Sequence, residues 1–200
     1  LEVEKNNLDF IAFSAHKIYA PYGLGVLIAP KNWLEERAPI DPAGGVVDYI
    51  YPEGVVWSKG ISRHQPGTWN ANGIVCLSEA MKVLKDIGWK KIIAHEKCLL
   101  THALNEMEKI PGISFLVPKE KFEEEDRTGI ISFKAKDHHY ALVSSYLANE
   151  YAISTRSGEI CNYRLLARWN KLSDEEVKKI AEKVANGDLL SRPGLVRASI

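Results

Sequence analysis

The chain has 200 residues, 46% hydrophobic and 26% charged, an ordinary globular composition long enough for one or two buried cores. Its 26 lysines and arginines balance its 26 aspartates and glutamates, and no basic stripe stands out, which argues against a nucleic-acid partner. Three cysteines (Cys76, Cys98 and Cys161) lie far apart without a CxxC pair, so neither a structural zinc site nor a disulfide framework is expected.

Free thiols fit a reducing, cytoplasmic setting. No apolar run approaches the roughly 18 residues of a membrane helix, and no basic-then-apolar leader opens the chain. Leu1 is not a methionine and apolar residues run up to Ile200, so a longer parent protein is expected.

Taken in order, residues 8–13 predict a short buried strand and residues 23–29 a second, closed by Pro30. Residues 30–67 carry several Gly and Pro and no clear period, and read as an extended loop region. From Asn70 the apolar residues Ile74, Leu77, Met81 and Leu84 recur at helical spacing until Gly88. A second helix follows, with Ile92, Ile93, His95, Leu99, Leu100, Ala103, Leu104 and Met107 on its expected buried side, Cys98 expected to serve packing, and Pro111-Gly112 as the stop.

Then come a strand at 113–117, a solvated acidic loop around residues 123–126, a strand at 130–133, a helix at 138–150 and a strand at 152–155. A short helix at 163–169 precedes a longer one opened by the capping box Ser173/Glu176 and ended by Asn186-Gly187. Residues 196–200 form a last strand. The alternation argues an α/β or α+β fold, with two domains meeting near Ile87-Gly88.

Four segments carry chemistry. Lys17 follows a strand, where ligand sites of α/β folds gather, with His16 and Ser14 suited to a phosphate; it also reads as a surface lysine at a turn. A nucleophilic lysine works through its neutral amine, which burial or a neighbouring cation favours. Gly67-Thr68, just ahead of a helix start, suits an anion or a simple cap. Cys161 near Arg156 suits a thiolate nucleophile or an inert small side chain. Arg197 offers a planar guanidinium for a carboxylate. His138-His139 reads as a helix opening, and no metal site is expected.

Ser14-Ala15-His16-Lys17, after Asp9-Phe10-x-x-Phe13 and before Tyr19-x-Pro21-x-Gly23-x-Gly25, resembles the cofactor-lysine segment of the cysteine desulfurases and selenocysteine lyases among the class V aminotransferases. Arg63-x-x-x-Gly67-Thr68-x-Asn70, Arg156-x-Gly158-x-x-Cys161 and Arg192-Pro193-Gly194-x-Val196-Arg197-x-Ser199 resemble three further segments of that family, in the family's order. Ala15 stands where the family commonly has Gly, and Glu159-Ile160 fill the gap before the cysteine.

The resemblance implies a PLP-dependent transferase of fold type I, with residues 1–87 ending the large cofactor domain and residues 88–200 forming an α+β small domain. It implies that Lys17 holds pyridoxal 5'-phosphate (PLP) covalently. Ser14 and His16 would meet its phosphate, and Thr68 the phosphate of a second copy in a homodimer. Arg197, with Arg156 nearby, would bind the substrate carboxylate, and Cys161 would take sulfur from cysteine, leaving alanine and a persulfide for a sulfur-acceptor protein. Family residues for the ring nitrogen and ring face would lie upstream of Leu1. Alternatives are an aminotransferase, epimerase or selenocysteine lyase that does not use Cys161, or a non-catalytic fragment.

Overall fold

The computed structural model describes residues 5–39, 41–124 and 127–200. The chain divides into two compact units, Leu1–Trp89 and Lys90–Ile200.

In the first unit, β1 (Ile11–Ser14) pairs antiparallel with β2 (Gly25–Ile28), Ser14 opposite Gly25. Both strands begin later than the apolar runs suggest. Between them the chain makes one 3₁₀ turn, Ala15–Ile18.

Residues 30–67 are not the extended loop that their composition predicts. They hold a short helix, α1 (Lys31–Glu36), a hairpin of β3 (Val47–Tyr51) and β4 (Gly54–Trp57), and a 3₁₀ turn at Gly60–His64. The two-residue link Pro52-Glu53 closes the hairpin with Tyr51 opposite Gly54. It lacks the Asn-Gly signal by which such turns are usually read.

Polar bonds lock this segment. The hydroxyl of Ser58 donates to Asp48 Oδ1 at 2.6 Å, and Arg63 Nε donates to the Ser58 carbonyl at 2.8 Å. A guanidinium nitrogen of Arg63 also reaches the carbonyls of Glu35 and Arg37. His64 stacks on Trp33 at 5.8 Å. Helix α2 (Ala71–Ile87) follows, capped by Asn70 and ended at Gly88, whose φ of 88° no side-chain-bearing residue holds easily.

The second unit is an antiparallel four-stranded sheet with helices. Its elements are α3 (Trp89–Glu108), β5 (Ile113–Phe115), α4 (Glu120–Glu124), β6 (Ile130–Ala135), α5 (Tyr140–Tyr151), β7 (Arg156–Gly158), α6 (Tyr163–Trp169), α7 (Asp174–Ala185) and β8 (Leu195–Ser199). The strand order is β5-β6-β8-β7. Because β8 enters between β6 and β7, the last strand of the chain is central, and its Val196 is fully buried.

The core joins Leu100 and Leu104 of α3, Ile131 and Phe133 of β6 and Val196 of β8, with Tyr140, Val143 and Leu147 of α5 packed on it. The buried side of α3 is narrower than its apolar pattern: Ile93, Leu99, His95 and Cys98 are exposed in this chain. Helix α7 lays Val177, Ile180 and Val184 along an apolar cavity of about 270 Å³ shared with Ala167 and Leu172.

Two further expectations shift. The segment before β6 contains the short helix α4, while part of the acidic run, residues 125–126, lies outside the described residues. The strand expected at 152–155 is β7, four residues later, because α5 runs on to Tyr151 and ends with Ala152 in the left-handed region. The Ser173/Glu176 capping box forms on α7, and His139 caps α5.

Candidate active site

Ser14 ends β1 and the next residues turn at once. Ala15 is fully buried; its N–H donates to the Leu24 carbonyl at 2.9 Å, and its carbonyl accepts from Ala20 N–H at 3.1 Å. With Ala15 pinned inward, His16 and Lys17 are exposed, and Ser14 is half-buried. Ser14 occupies the cap position of the 3₁₀ turn, yet its hydroxyl makes no cap bond. Among the described residues none buries Lys17.

Thr68 sits in the loop before α2. Gly67, at φ 72°, donates its N–H to the Gly44 carbonyl at 2.8 Å, and Gly45 lies against Gly67. A glycine pair after Ala43 therefore holds the Thr68 loop, a contact without a periodic signal in the sequence. The Thr68 side chain is exposed and has no hydrogen-bond partner among the described residues.

The turn after β7 presents Cys161. Asn162 N–H donates to the Glu159 carbonyl at 3.0 Å, and the two central residues, Ile160 and Cys161, lie at φ 50° and 59°. Two central residues at positive φ mark a type I′ turn, whose usual residues are Asn and Gly. A β-branched residue there is an outlier that costs on the order of 1–3 kcal/mol. The result is an exposed thiol at the corner of a tight, strained turn.

Arg156 and Arg197 are cross-strand partners on β7 and β8, and Ser132 of β6 is opposite Arg197 on its other side. Alternation along β8 turns Val196 toward the core formed with α3 and α5 and Arg197 toward the opposite face. On that same face, Lys134 lies over Trp169 at 4.4 Å and donates to Asn170; burial pushes its amine below the ordinary lysine range. The Nε of Arg197 is buried without a hydrogen-bond partner.

The structure thus gathers Ser14, His16 and Lys17 on one turn, with Thr68 in the same unit, and pairs Arg156 with Arg197 in the sheet of the second unit, with Cys161 in the turn that follows β7. Sequence reasoning named Asn70 as a helix start and a motif position but not the bridge it makes, in which its side-chain amide joins the Lys17 segment to α2. It also missed the orphaned Gln65 Oε1 beside the Thr68 loop. Among the described residues no His/Cys/Asp/Glu group could hold a metal ion, and no helix is long and apolar enough to cross a membrane.

The chain belongs to the class V aminotransferase family, whose model matches residues 1–200. The cysteine desulfurases of Escherichia coli O8 (strain IAI1) and Escherichia coli (strain K12 / DH10B) are each 32% identical over 171 residues, which cover 85% of this chain and 40% of the relative. The match thus spans well under half the length of these curated relatives.

Among solved structures, the cysteine desulfurase CsdA from Escherichia coli matches with a TM-score of 0.78 and 26% identity, over 100% of this chain and 43% of that one. The apo cysteine desulfurase from Thermococcus onnurineus NA1 matches with a TM-score of 0.74 and 24% identity, over 99% and 43%. The cystine C-S lyase C-DES, in complex with its reaction product cysteine persulfide, matches with a TM-score of 0.64 and 18% identity, over 100% and 43%. The fold is that of the PLP-dependent fold-type-I enzymes.

The donor set fits PLP. An amine, an imidazole and a hydroxyl project from one turn, and among the described residues none of the three is engaged elsewhere. An amine matches an aldehyde carbon; the imidazole and hydroxyl match phosphate oxygens.

Proposed function

We propose that this chain supplies the cofactor lysine and the sulfur-accepting cysteine of a PLP-dependent, cysteine desulfurase-like enzyme acting on L-cysteine. The observation that carries the reading is the Lys17 turn: buried Ala15 fixes the backbone, and three unengaged donors of matching chemistry stand on it.

Lys17 holds the cofactor covalently through its amine. Ser14 and His16 donate to the phosphate, and Thr68 donates to the phosphate held by a second copy in a homodimer. PLP, when bound, supplies an electron sink for the substrate's α-carbon. The Lys17 amine would move the proton at that carbon. Arg197 pairs with the substrate carboxylate through its guanidinium, and Arg156 adds charge beside it.

The Cys161 thiolate attacks the substrate sulfur. An S–S bond forms as the C–S bond breaks, the bonding pair stays with the substrate β-carbon and that carbon takes up a proton, so the products are alanine and a Cys161 persulfide. The exposed turn then offers that persulfide to a sulfur-acceptor protein. Residues 1–87 serve as part of the cofactor domain and residues 88–200 as the smaller domain, in a cytoplasmic enzyme.

The test is a visible absorbance spectrum of the full-length protein beside Lys17→Ala, each with PLP added. An absorption band in the violet-blue, which colours the protein yellow and vanishes in the variant, is the expected result. No band in the parent would remove the reading.

A further inference from the structure

We propose that Asn70 is a positioning residue that clamps the Lys17 turn to the start of α2 and so holds Lys17 and Thr68 in one frame; this rests on the cofactor roles proposed for those two residues. One amide makes both bonds. Its Oδ1 accepts from Gly73 N–H at 2.9 Å, capping the helix, and its Nδ2 donates to the Tyr22 carbonyl at 2.6 Å. Residues 22 and 70 are thereby tied across 48 positions of sequence.

The segment that receives the clamp needs one. Tyr19 and Tyr22 lie at φ 67° and 69°, and Gly23 at 63°, so two non-glycine residues sit in the left-handed region within four positions. Their side chains are 81% and 66% exposed, so packing does not hold that conformation. What holds it are backbone bonds, Ala15 N–H to Leu24 and Ala20 N–H to Ala15, together with the Asn70 amide.

The helix start is shaped for the same approach. A Cβ on Gly73 would stand 2.9 Å from Leu24 Cβ and 2.8 Å from Asn70 Nδ2, so only glycine lets α2 come this close to the turn. Thr68 lies two residues before Asn70, on the loop that leads into the clamped end. A shift of the clamp therefore moves the Lys17 amine relative to the cofactor of its own copy and the Thr68 hydroxyl relative to that of the second copy, and small misplacements of this kind are costly to binding and catalysis.

Two variants of the full-length protein separate capping from clamping. Asn70→Asp and Asn70→Ser keep an oxygen for the Gly73 N–H. Asp has no donor for the Tyr22 carbonyl, and Ser is too short to serve both partners. Three quantities are measured: hydrogen exchange over residues 15–24 without cofactor, the rate of PLP release from the visible band, and the melting temperature. Both variants are expected to melt near the parent, to exchange about tenfold faster over 15–24 and to release PLP about tenfold faster, the size of one lost hydrogen bond. Asn70→Ala loses the cap as well and melts lower.

Unchanged exchange in both conservative variants overturns the clamp. Faster exchange with parent-like PLP release overturns the positioning role. If the parent itself takes up no PLP, the cofactor reading fails on that arm alone, and the exchange measurement still decides the clamp.

Discussion

Arg156 of β7 and Arg197 of β8 stand directly opposite one another in an antiparallel pair, two cations on one face of the sheet, and the Nε of Arg197 is buried without an acceptor. Directly opposed residues have Cβ atoms about 4.5–5.5 Å apart, and like charges so placed are destabilising. An unmet buried donor adds a cost of about 1–3 kcal/mol. The repulsion falls when an anion enters. The arrangement is therefore poor for stability and good for a carboxylate.

In the full-length enzyme, Arg197→Ala is expected to lower kcat/KM for cysteine about 10- to 100-fold, mainly through KM. Arg197→Lys should not restore it, because an ammonium lacks the planar fork. Arg156→Ala should raise KM less and leave the melting temperature equal or slightly higher. Steady-state kinetics with these three variants decide; a parent-like KM in Arg197→Ala would remove the carboxylate role.

The strained turn gives a second expectation. Ile160→Gly relieves a positive φ at a β-branched residue, worth about 1 kcal/mol after the entropy cost of glycine. The melting temperature should rise by about 2–4 °C, while alanine production falls because Cys161 is less firmly presented. Cys161→Ala should abolish persulfide formation and leave the Lys17-dependent absorbance intact. A Cys161→Ala variant that still yields persulfide would point to an enzyme that does not use this thiol.

Gly194 tests the sheet that carries Arg197. A Cβ there would overlap the ring of Tyr140, closer than van der Waals contact allows. Tyr140 is the first residue of α5 and packs on the core, so the ring has little room to yield. Gly194→Ala should cost about 1–3 kcal/mol by overpacking. Tyr140→Leu should recover part of it. Thermal melts of the single and double variants check this coupling.

The capping box of α7 predicts an acid dependence. The Ser173 backbone N–H and then its hydroxyl hold the Glu176 carboxyl below the usual range, with Lys179 adding to the effect. A carboxyl lowered in the folded state stabilises above its ordinary pKa, and that contribution is lost as pH falls through the lowered value. Glu176→Gln should therefore lower the melting temperature at neutral pH and converge with the parent in acid. Parallel curves at all pH values would exclude the linkage.

The sequence by itself determined what local rules read. Helical spacing marked α2, Asn-Gly and a Ser/Glu pair marked the ends of α7, and four ordered motifs marked the family and its candidate residues. It misread residues 30–67 because short strands joined by Pro52-Glu53 and tied by Asp48, Ser58 and Arg63 have no period to detect. It widened the buried side of α3 because an apolar stripe does not say how much of it a neighbour covers.

Only the tertiary structure decided that β8 enters between β6 and β7, which puts Arg197 opposite Arg156. Only it showed the left-handed turn under Cys161 and the single amide of Asn70 joining Tyr22 to α2. The physical reason is common to all three. Strand neighbours, positive φ and hydrogen bonds across dozens of residues are fixed by long-range closure of the chain, and long-range closure leaves no mark on the spacing of residues along it.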